Sequence, residues 1–465
     1  MRSRMFARRS AAFPAGIIVS TLIVACATAA DRSDDAVSVS SDVDAAALPS
    51  NDVDAAEPDS PSATDAATPC SSDGWCKAPY PGPNITGREV AVFEKRAFAL
   101  LDGDYIRSKI GEWTPDAGWT LIKGNDPWLS PTKIWAPDED TVFYTAHDWS
   151  YLFNNGPIAS VFGVVVVRGR RPVAPATEWT FTTGRLPCNQ IFPEAAVGGT
   201  TDGNVYVATC GKIYRLDPSA GAASDGGADA GAETLQWIDE GFVDVDQAAP
   251  IDFYHIGGTG PDDLWFAGGR VSNGGQSPTA SNGQGQSPCT ILVHKTTDGY
   301  RTVLDGIPLA TGCSPRDDLP MVRGRLSQGI FTPSKNRVLG ATEAVDATGK
   351  NVLLNVALSG DQITIATTRP PAGLVTTATL GSAWGASEDE VFVLANYSPY
   401  GAVDRSTVIH GQAIWGDSPS WGFSHLAINA APNSEPLNQI RGTSNQNLWV
   451  VGRYNAYHKS TAASP

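Results

Sequence analysis

Several patterns are missing from this sequence of 465 residues, and each absence argues against a class of protein. No long window places apolar residues at helical spacing, apart from the extreme N-terminus, which argues against a helical fold. Outside the first nine residues no basic run offsets the formal net charge of −16, which argues against nucleic acid and anionic lipid as partners. The apolar stretch from Ala15 to Ala25 has eleven residues, too few to span a bilayer.

A repeat organises the rest of the chain. Seven times, a short apolar segment runs into a turn of Gly, Ser, Thr, Asp and Asn, and then into Val or Leu followed by a large side chain. The first of these repeats is shortened. Successive large residues are 45 to 74 positions apart, close to one propeller blade plus variable loops. The large residues are Phe98, Phe143, Tyr206, Trp265, Leu339, Phe392 and Trp449.

Each repeat predicts two strands joined by a tight turn, because Gly, Asp and Asn tolerate positive φ or cap their own backbone. One such sheet cannot bury both faces, whereas several sheets stacked radially bury them and leave short edges. The chain ends sixteen residues after Trp449, which is too few for four strands. We therefore predict an all-β fold, a seven-bladed β-propeller over residues 85–465. An N-terminal strand near residues 85–95 is predicted to complete the last blade and close the ring.

The N-terminus has the features of an export signal. Four arginines within the first nine residues precede the apolar stretch. Residues 22–26, Leu-Ile-Val-Ala-Cys, resemble a bacterial lipobox, in which the cysteine is acylated and becomes the mature N-terminus. We therefore predict a lipoprotein signal peptide over residues 1–25 and lipidation of Cys26. The alternative is an ordinary secretory signal cleaved after Ala27 or Ala29.

Residues 26–69 are predicted to form a disordered acidic tether. Residues 31–70 carry ten acids against one arginine in a stretch without aromatic residues, so the segment cannot collapse. Ala27, rather than an aspartate, follows Cys26, so retention at the inner membrane is not indicated. We expect a protein that is exported and anchored by lipid in the outer membrane at the cell surface.

The cysteine count agrees with export. With Cys26 lipidated, six cysteines remain, and an even remainder in an exported chain indicates disulfides. No Cys-x-x-Cys motif or His pair at metal spacing accompanies them, which argues against a zinc site. Several pairings are possible, and we favour local ones because each pair lies within one blade or its adjoining loop. The predicted disulfides are Cys70–Cys76, Cys188–Cys210 and Cys289–Cys313.

The segment Cys70-Ser-Ser-Asp-Gly-Trp-Cys76 follows the acidic tether, and repeats of the form Ile-x-Gly-Thr/Ser-x-x-Asp-x-Leu/Val-Trp/Phe follow it. This order resembles the repeat-bearing surface lipoproteins of myxobacteria. The resemblance implies a β-propeller ectodomain and no particular activity. The fifth repeat departs from the pattern, with Leu339 where an aromatic residue is usual. Residues 70–84 are assigned to a Cys-Trp-Cys segment ahead of the propeller.

Two turns resemble the Asp boxes of sialidase-like and sortilin-like propellers. One carries Asp116 and Gly118, and the other carries Asp298 and Gly299, with Tyr300 where a glycine is expected. In those families the box is a hairpin turn remote from the active site, in which the aspartate caps backbone amides. The resemblance therefore implies a structural role, related to that of an Asx turn.

Few residues of the repeats suggest catalysis. Arg168, Arg170 and Arg171 form an arginine cluster that we expect in a solvated loop. Three histidines recur at one repeat position in different blades and are interpreted as repeat consensus residues. Spread around the ring, they cannot share a metal unless they face the central channel. These histidines are His294, His410 and His458.

Acidic turns at residues 138–140, 262–263 and 388–390 lack the Gly-punctuated alternation of a calcium loop, so we expect solvated hairpin tips and no metal. Two insertions, residues 218–233 and 272–287, are too polar and too rich in Gly to order themselves. We expect both to project from one face, where propellers often bind ligands. The alternative is that they are neutral insertions.

The sequence favours a binding module over an enzyme. We predict a monomer whose propeller binds protein or glycan at the cell surface. No cofactor and no nucleic acid is expected, and the membrane is contacted only through the lipid. The alternative is a propeller hydrolase or lyase acting on extracellular polysaccharide. A channel with convergent Arg, Tyr and carboxylate side chains would favour the enzyme, and a plain or apolar channel with an aromatic top face would favour binding.

Overall fold

A computed structural model describes most of the chain from Cys70 onward. The predicted signal peptide, Cys26 and the tether lie outside the described residues. The described residues are 70–103, 109–122, 129–150, 162–191, 193–221, 234–244, 246, 249–270, 288–309, 312–316, 318–327, 329–342, 351–375, 378–397, 405–426 and 435–460.

Seven four-stranded antiparallel sheets form the blades of a ring, which confirms the predicted seven-bladed propeller. Blades 1 to 6 each pair four consecutive strands in chain order. Blades 1 and 2 contain β2 Thr86–Val92, β3 Ala97–Asp102, β4 Lys109–Thr114 and β5 Gly118–Ile122, then β6 Leu129–Asp138, β7 Thr141–Asp148, β8 Phe162–Arg170 and β9 Thr180–Ile191. Blades 3 and 4 contain β10 Ala195–Gly199, β11 Val205–Thr209, β12 Lys212–Leu216 and β13 Trp237–Val243, then β14 Ile251–Gly260, β15 Asp263–Arg270, β16 Cys289–Thr296 and β17 Gly299–Leu304.

The remaining blades follow the same plan, and the first strands of neighbouring blades contact one another around a central channel. Blades 5 and 6 contain β20 Ile330–Ser334, β21 Arg337–Ala341, β22 Leu353–Ser359 and β23 Gln362–Thr368, then β24 Ala378–Trp384, β25 Glu390–Tyr397, β26 Arg405–Gln412 and β27 Ser420–Ser424. Blade 7 contains β28 Leu437–Ser444, β29 Asn447–Gly452, β30 Asn455–Ser460 and, from the other end of the described chain, β1 Trp75–Pro79.

The ring is closed by an N-terminal strand, but not by the one that we predicted. β1 pairs antiparallel with β30, from Trp75 opposite Lys459 to Pro79 opposite Asn455. The predicted segment, residues 85–95, instead forms the inner strand β2 of blade 1. The Cys-Trp-Cys segment therefore contributes the outer strand of blade 7 and is part of the ring.

Trp75 anchors this closure. Its side chain is fully buried in a hydrophobic cluster shared with blades 5, 6 and 7. The indole Nε1 donates a hydrogen bond to Ser424 Oγ of blade 6 at 2.9 Å. Nearby, His425 N donates to Asp73 Oδ2 at 2.6 Å, which ties the turn before β1 to the same blade. The closing strand is therefore fixed by side chains as well as by its ladder.

The seven large residues of the repeat each occupy the second or third position of a second strand and pack between blades. Their exposed fractions are 0 to 3%. Each pair of neighbouring blades shares a hydrophobic cluster, so the core is a circle of interfaces rather than one central mass. This arrangement explains why one large residue recurs in every repeat.

The repeated glycine has a steric cause at the end of the first strand. Gly258 lies against the carbonyl oxygen of Asp263, and a Cβ added to Gly258 would collide with that oxygen. Gly442 has the same relation to the carbonyl of Asn447 in blade 7. A side chain at this position would push the first and second strands apart, so the turn between them needs glycine.

All three predicted disulfides are formed, Cys70–Cys76, Cys188–Cys210 and Cys289–Cys313. The third joins the start of β16 to a small hairpin outside the blades, β18 Gly306–Leu309 and β19 Gly312–Pro315. Each bridge therefore links segments that are close in the sequence, as the spacing predicted.

We predicted that the two insertions project from one face of the ring, and this prediction was wrong. Residues 218–233 connect the third and fourth strands of blade 3, whereas residues 272–287 connect the second and third strands of blade 4. In antiparallel blades these two connections lie at opposite ends of the strands. Residues 222–233 and 271–287 lie outside the described residues.

Candidate functional site: the central channel

The central channel widens into a cavity at each end. We call the end where the inner strands begin the upper mouth and the end where they finish the lower mouth. The upper cavity has a volume of about 450 Å³ and is lined by polar and charged side chains. The lower cavity, of about 470 Å³, is lined by glycines, threonines and aromatic residues around Arg441.

An ion pair joins blades 1 and 2 inside the upper mouth. Glu89 Oε1 lies 2.8 Å from Lys133 Nζ, and the second carboxylate oxygen accepts a hydrogen bond from Ile134 N at 3.1 Å. Both charged side chains are largely buried. Because an unpaired charge is costly there, the pair holds β2 and β6 together.

Two histidines at this mouth are held neutral. His147 Nε2 lies 3.2 Å from Pro193 O, and His255 Nε2 lies 2.8 Å from Ser327 O. Burial lowers the pKa of both imidazoles, and for His255 the nearby charge of Lys133 lowers it further. Since a carbonyl only accepts, each Nε2 carries the proton and donates.

A second cluster of polar residues lies at the same end, around Asp252 and Tyr254 of β14. Arg325 Nη1 donates to Tyr254 Oη at 3.1 Å, and the guanidinium packs over the tyrosine ring. Burial, reinforced by the charge of Glu194, raises the pKa of Asp252 to about 6. Burial also raises the pKa of Tyr254, so its phenol stays protonated. Asp252 is therefore the member of this group that titrates close to neutral pH.

Hydroxyl and amide groups complete the rim of the upper mouth. Gln439 Oε1 accepts from Val90 N at 2.6 Å, while its Nε2 donates to no other group in the described part of the chain. Ser130 likewise makes no side-chain hydrogen bond to a described residue. The indole of Trp149 lines the same cavity. The mouth therefore presents unmatched hydrogen-bond donors beside an aromatic surface.

The three repeat histidines do not face the channel. They lie on the third strands and stack on the large residue of the second strand, with ring centroids 4.1 to 4.4 Å apart. Each Nε2 bonds to the polar residue that opens or adjoins the second strand, at 2.8 to 2.9 Å. The pairs are His294 with Asp263, His410 with Glu390, and His458 with Asn447.

The same polar residues also reach the next blade. Asp263 Oδ1 accepts from Asn336 N of blade 5 at 3.0 Å, and Asn447 Nδ2 donates to Phe93 O of blade 1 at 3.0 Å. Glu390 accepts from Asn445 of blade 7. This set of contacts, which we call the inter-blade brace, explains why a histidine, an acidic or amide residue and an aromatic residue recur together. We assign these histidines to inter-blade structure.

The acidic turns and the arginine cluster depart from our expectations, and Asp263 in one of these turns is buried rather than at a solvated hairpin tip. Within the described residues, no group of three or more His, Cys, Asp or Glu side chains is placed to hold a metal ion. Arg168 and Arg170 lie in β8, where Arg168 is buried, so the expected solvated loop was wrong. Arg171 follows β8 and bonds to Glu112 and Asp140 at 2.7 and 2.8 Å. Arg171 therefore serves the contact between blades 1 and 2.

The two box-like turns lie between the third and fourth strands of blades 1 and 4, at the outer edge of the ring. Gly118 and Gly299 adopt positive φ, 63° and 111°. Within each turn the hydroxyl of a threonine, rather than the aspartate carboxylate, accepts a hydrogen bond from a backbone amide. Ala117 N donates to Thr114 Oγ1 at 3.3 Å, and Asp298 N donates to Thr296 Oγ1 at 3.2 Å.

Sequence reasoning missed the channel residues, although a signal was present. Four of the polar side chains at the upper mouth occupy one repeat position, immediately before the buried apolar residue of the inner strand. Because this position points into the channel, it escapes the packing constraint that fixes its neighbours, and its identity changes from blade to blade. The four residues are Glu89, Lys133, His255 and Gln439.

In the described part of the chain, no helix is long and apolar enough to cross a membrane.

The ring of four-stranded sheets around a channel defines the chain as a seven-bladed β-propeller. No family model matches it, and no curated protein does. Among solved structures it is similar to YCF48 bound to D1 peptide, at 9% identity, covering 85% of this chain and 98% of that one with a TM-score of 0.44. It is also similar to the polysaccharide lyase Uly1, at 9% identity, 80% and 89% coverage and a TM-score of 0.41.

A third similar structure is the WD40 domain of SCAP from fission yeast, at 9% identity, covering 83% of this chain and 95% of that chain with a TM-score of 0.39. At such low identity these similarities concern the fold alone. The chemistry of this chain has to be inferred from its own channel.

Proposed function

We propose that this protein is a lipid-anchored surface lipoprotein of the outer membrane, of the myxobacterial repeat-bearing type. Its propeller binds a protein or glycan ligand at the upper mouth. The observation that carries the proposal is the set of unmatched donors there, Ser130 Oγ and Gln439 Nε2, beside Trp149 in a cavity of about 450 Å³. Hydrogen-bond donors next to an aromatic face suit a hydroxyl-rich or amide-rich ligand.

The charged groups of the mouth support recognition more than chemistry. Lys133 is engaged by Glu89, Arg325 by Tyr254, and both histidines by main-chain carbonyls. Groups that are already paired fix the shape of the mouth without reorganisation on binding.

Binding is tested with the whole chain carrying Cys26→Ser, screened on glycan and peptide arrays. In Ser130→Trp the indole fills the upper cavity, and we expect the affinity for any ligand found to fall by at least about tenfold. The matched control is Ser420→Trp on the exposed outer strand β27, which should bind as the parent does. Equal binding by both variants would place the ligand elsewhere on the propeller.

A hydrolase or lyase acting on extracellular polysaccharide is the second candidate, favoured by Asp252. Convergent Arg, Tyr and carboxylate side chains favour an enzyme. Glu194 lines the upper cavity, and the charges of Glu194 and Arg325 act on both Asp252 and Tyr254. A carboxyl group with a pKa raised to about 6 is suited to proton transfer near neutral pH.

Catalysis is tested by incubating the protein with extracellular polysaccharides and measuring new reducing ends and unsaturated products. An active enzyme should show a limb of its pH profile near pH 6 that disappears in Asp252→Asn. Asp298→Asn, in an exposed turn of blade 4, is the control and should retain the parent profile. Absence of product at every pH would reject this candidate and leave the binding proposal standing.

A further inference from the structure

The lower mouth contains a guanidinium, that of Arg441, without an ion-pair partner among the described residues. Arg441 lies on the inner strand β28, and its side chain extends across the channel toward Gly329 and Ala383. Its Nη1 lies 3.4 Å from Ala383 O and 3.4 Å from Ile440 O, both at the long limit of a hydrogen bond. Among the described residues, no carboxylate oxygen is within ion-pair distance of this guanidinium.

Glycine at residue 329 makes room for this arrangement. A Cβ at that position would collide with the Arg441 guanidinium. Gly329 also has a positive φ of 109°, which side-chain-bearing residues rarely adopt. The absence of a side chain at residue 329 therefore leaves room for the Arg441 guanidinium.

Among the described residues, no direct ion pair neutralises Arg441. Glu89 acts on Arg441 from a distance, but its two oxygens are already taken by Lys133 and by Ile134 N. Arg441 therefore keeps its positive charge without a carboxylate at hydrogen-bond distance. Burial lowers the pKa of Arg441 to about 10, which is still far above physiological pH, so the charge persists.

We propose that the lower mouth binds a ligand through an oxyanion, a carboxylate or sulfate group, held by Arg441. The cavity of about 470 Å³ has aromatic walls from Trp135, Phe331 and Trp384. The hydroxyls of Thr201 and Thr332 line it without a partner among the described residues. A guanidinium beside hydroxyl donors matches the geometry of an oxyanion.

The turns between the first and second strands surround the lower mouth and carry acidic residues at positions 138–140, 262–263 and 388–390. Several of these carboxylates are already engaged, Asp140 by Arg171, Asp263 by His294 and Glu388 by Arg337. Recognition of the oxyanion therefore depends on Arg441 and the hydroxyls of the cavity rather than on the rim.

The direct test is a crystal of the whole chain carrying Cys26→Ser, soaked in sodium selenate. We expect an anomalous selenium peak with its oxygens about 3 Å from the Arg441 guanidinium. No peak at the lower mouth under these conditions, or a peak that contacts surface lysines alone, overturns the proposal. This experiment needs no variant, so it does not depend on whether a substituted channel folds.

The solution test measures sulfate binding by calorimetry against chloride at matched ionic strength. Arg441→Gln should weaken sulfate binding by at least about tenfold. Arg301→Gln, an exposed arginine on β17, should bind as the parent does. Unchanged sulfate affinity in Arg441→Gln overturns the proposal. Ser130→Trp should leave sulfate binding intact, which separates this site from the one at the upper mouth.

Discussion

Replacing Trp75 tests whether the short N-terminal strand closes the ring. The indole is fully buried, and removing a buried Trp side chain costs about 3 to 5 kcal/mol. Ser424 Oγ is buried and loses its partner, which adds about 1 kcal/mol. We therefore expect Trp75→Ala to lower the free energy of unfolding by about 4 to 6 kcal/mol.

The assay is urea unfolding followed by far-ultraviolet circular dichroism, with light scattering to detect association. Trp75→Phe keeps most of the apolar volume and loses the hydrogen bond, so it should cost about 1 to 2 kcal/mol. Trp421→Ala, on the outer strand of blade 6 and partly exposed, is the matched control and should cost less than Trp75→Ala. When β1 detaches, β30 becomes an open edge, so we also expect Trp75→Ala to associate. If Trp75→Ala lowers the free energy of unfolding by no more than Trp421→Ala does, the closure argument is refuted.

Further predictions concern the disulfides, the brace and the anchor. Replacing Cys289 and Cys313 together by Ser should cost about 3 kcal/mol, from the length of the closed loop, as measured by urea unfolding against the parent with its disulfides intact. Burial alone would raise the pKa of Asp263, but hydrogen bonds from His294 and other donors lower it. Ionised Asp263 therefore stabilises the fold above its unfolded-state pKa, and this contribution is lost as pH falls through its folded-state pKa. Asp263→Asn should flatten the plot of unfolding free energy against pH below about pH 4. An unchanged plot would contradict the brace. Cys26→Ser should abolish palmitate labelling and membrane association without changing the melting temperature, and equal membrane association of both forms would indicate a secreted protein.

The repeat predicted seven blades because the packing constraint is the same in each. One large residue must fill every interface, so the pattern survives from Phe98 to Trp449 even where Leu339 replaces an aromatic residue. The spacing also predicted the disulfides, since each pair is local. These features could be predicted from the sequence because they repeat or involve residues that are close in the sequence.

The closing strand was misassigned because two neighbouring segments both have strand character. Residues 86–92 end in the β-rich run Val-Ala-Val, and they supply the inner strand of blade 1. β1 has five residues, among them a cysteine and a proline, and its pairing with β30 depends on a contact across almost the whole chain. A partner so distant leaves no local pattern.

The chemistry of the candidate sites could not be predicted for a related reason, although the shared repeat position of the upper-mouth residues was visible in the sequence. Arg441 adjoins the motif in the last repeat, and nothing in its immediate sequence indicates that it reaches across the channel to Gly329. The meeting of Glu89, Lys133 and His255 likewise depends on ring closure, which brings separate blades to one axis. Chemistry assembled from single residues of different blades has no motif of its own.

The Cys70–Cys76 bridge determines how a mechanical load on the chain ahead of residue 70 would enter the propeller. Because Cys76 is the second residue of β1, the covalent link delivers force directly into the closing strand beside Trp75. The turn between the two cysteines cannot extend to absorb it. Opening the ring under tension therefore requires Trp75 to leave its site and the β1–β30 ladder to break. The propeller is attached to whatever precedes it through the strand that holds its two ends together.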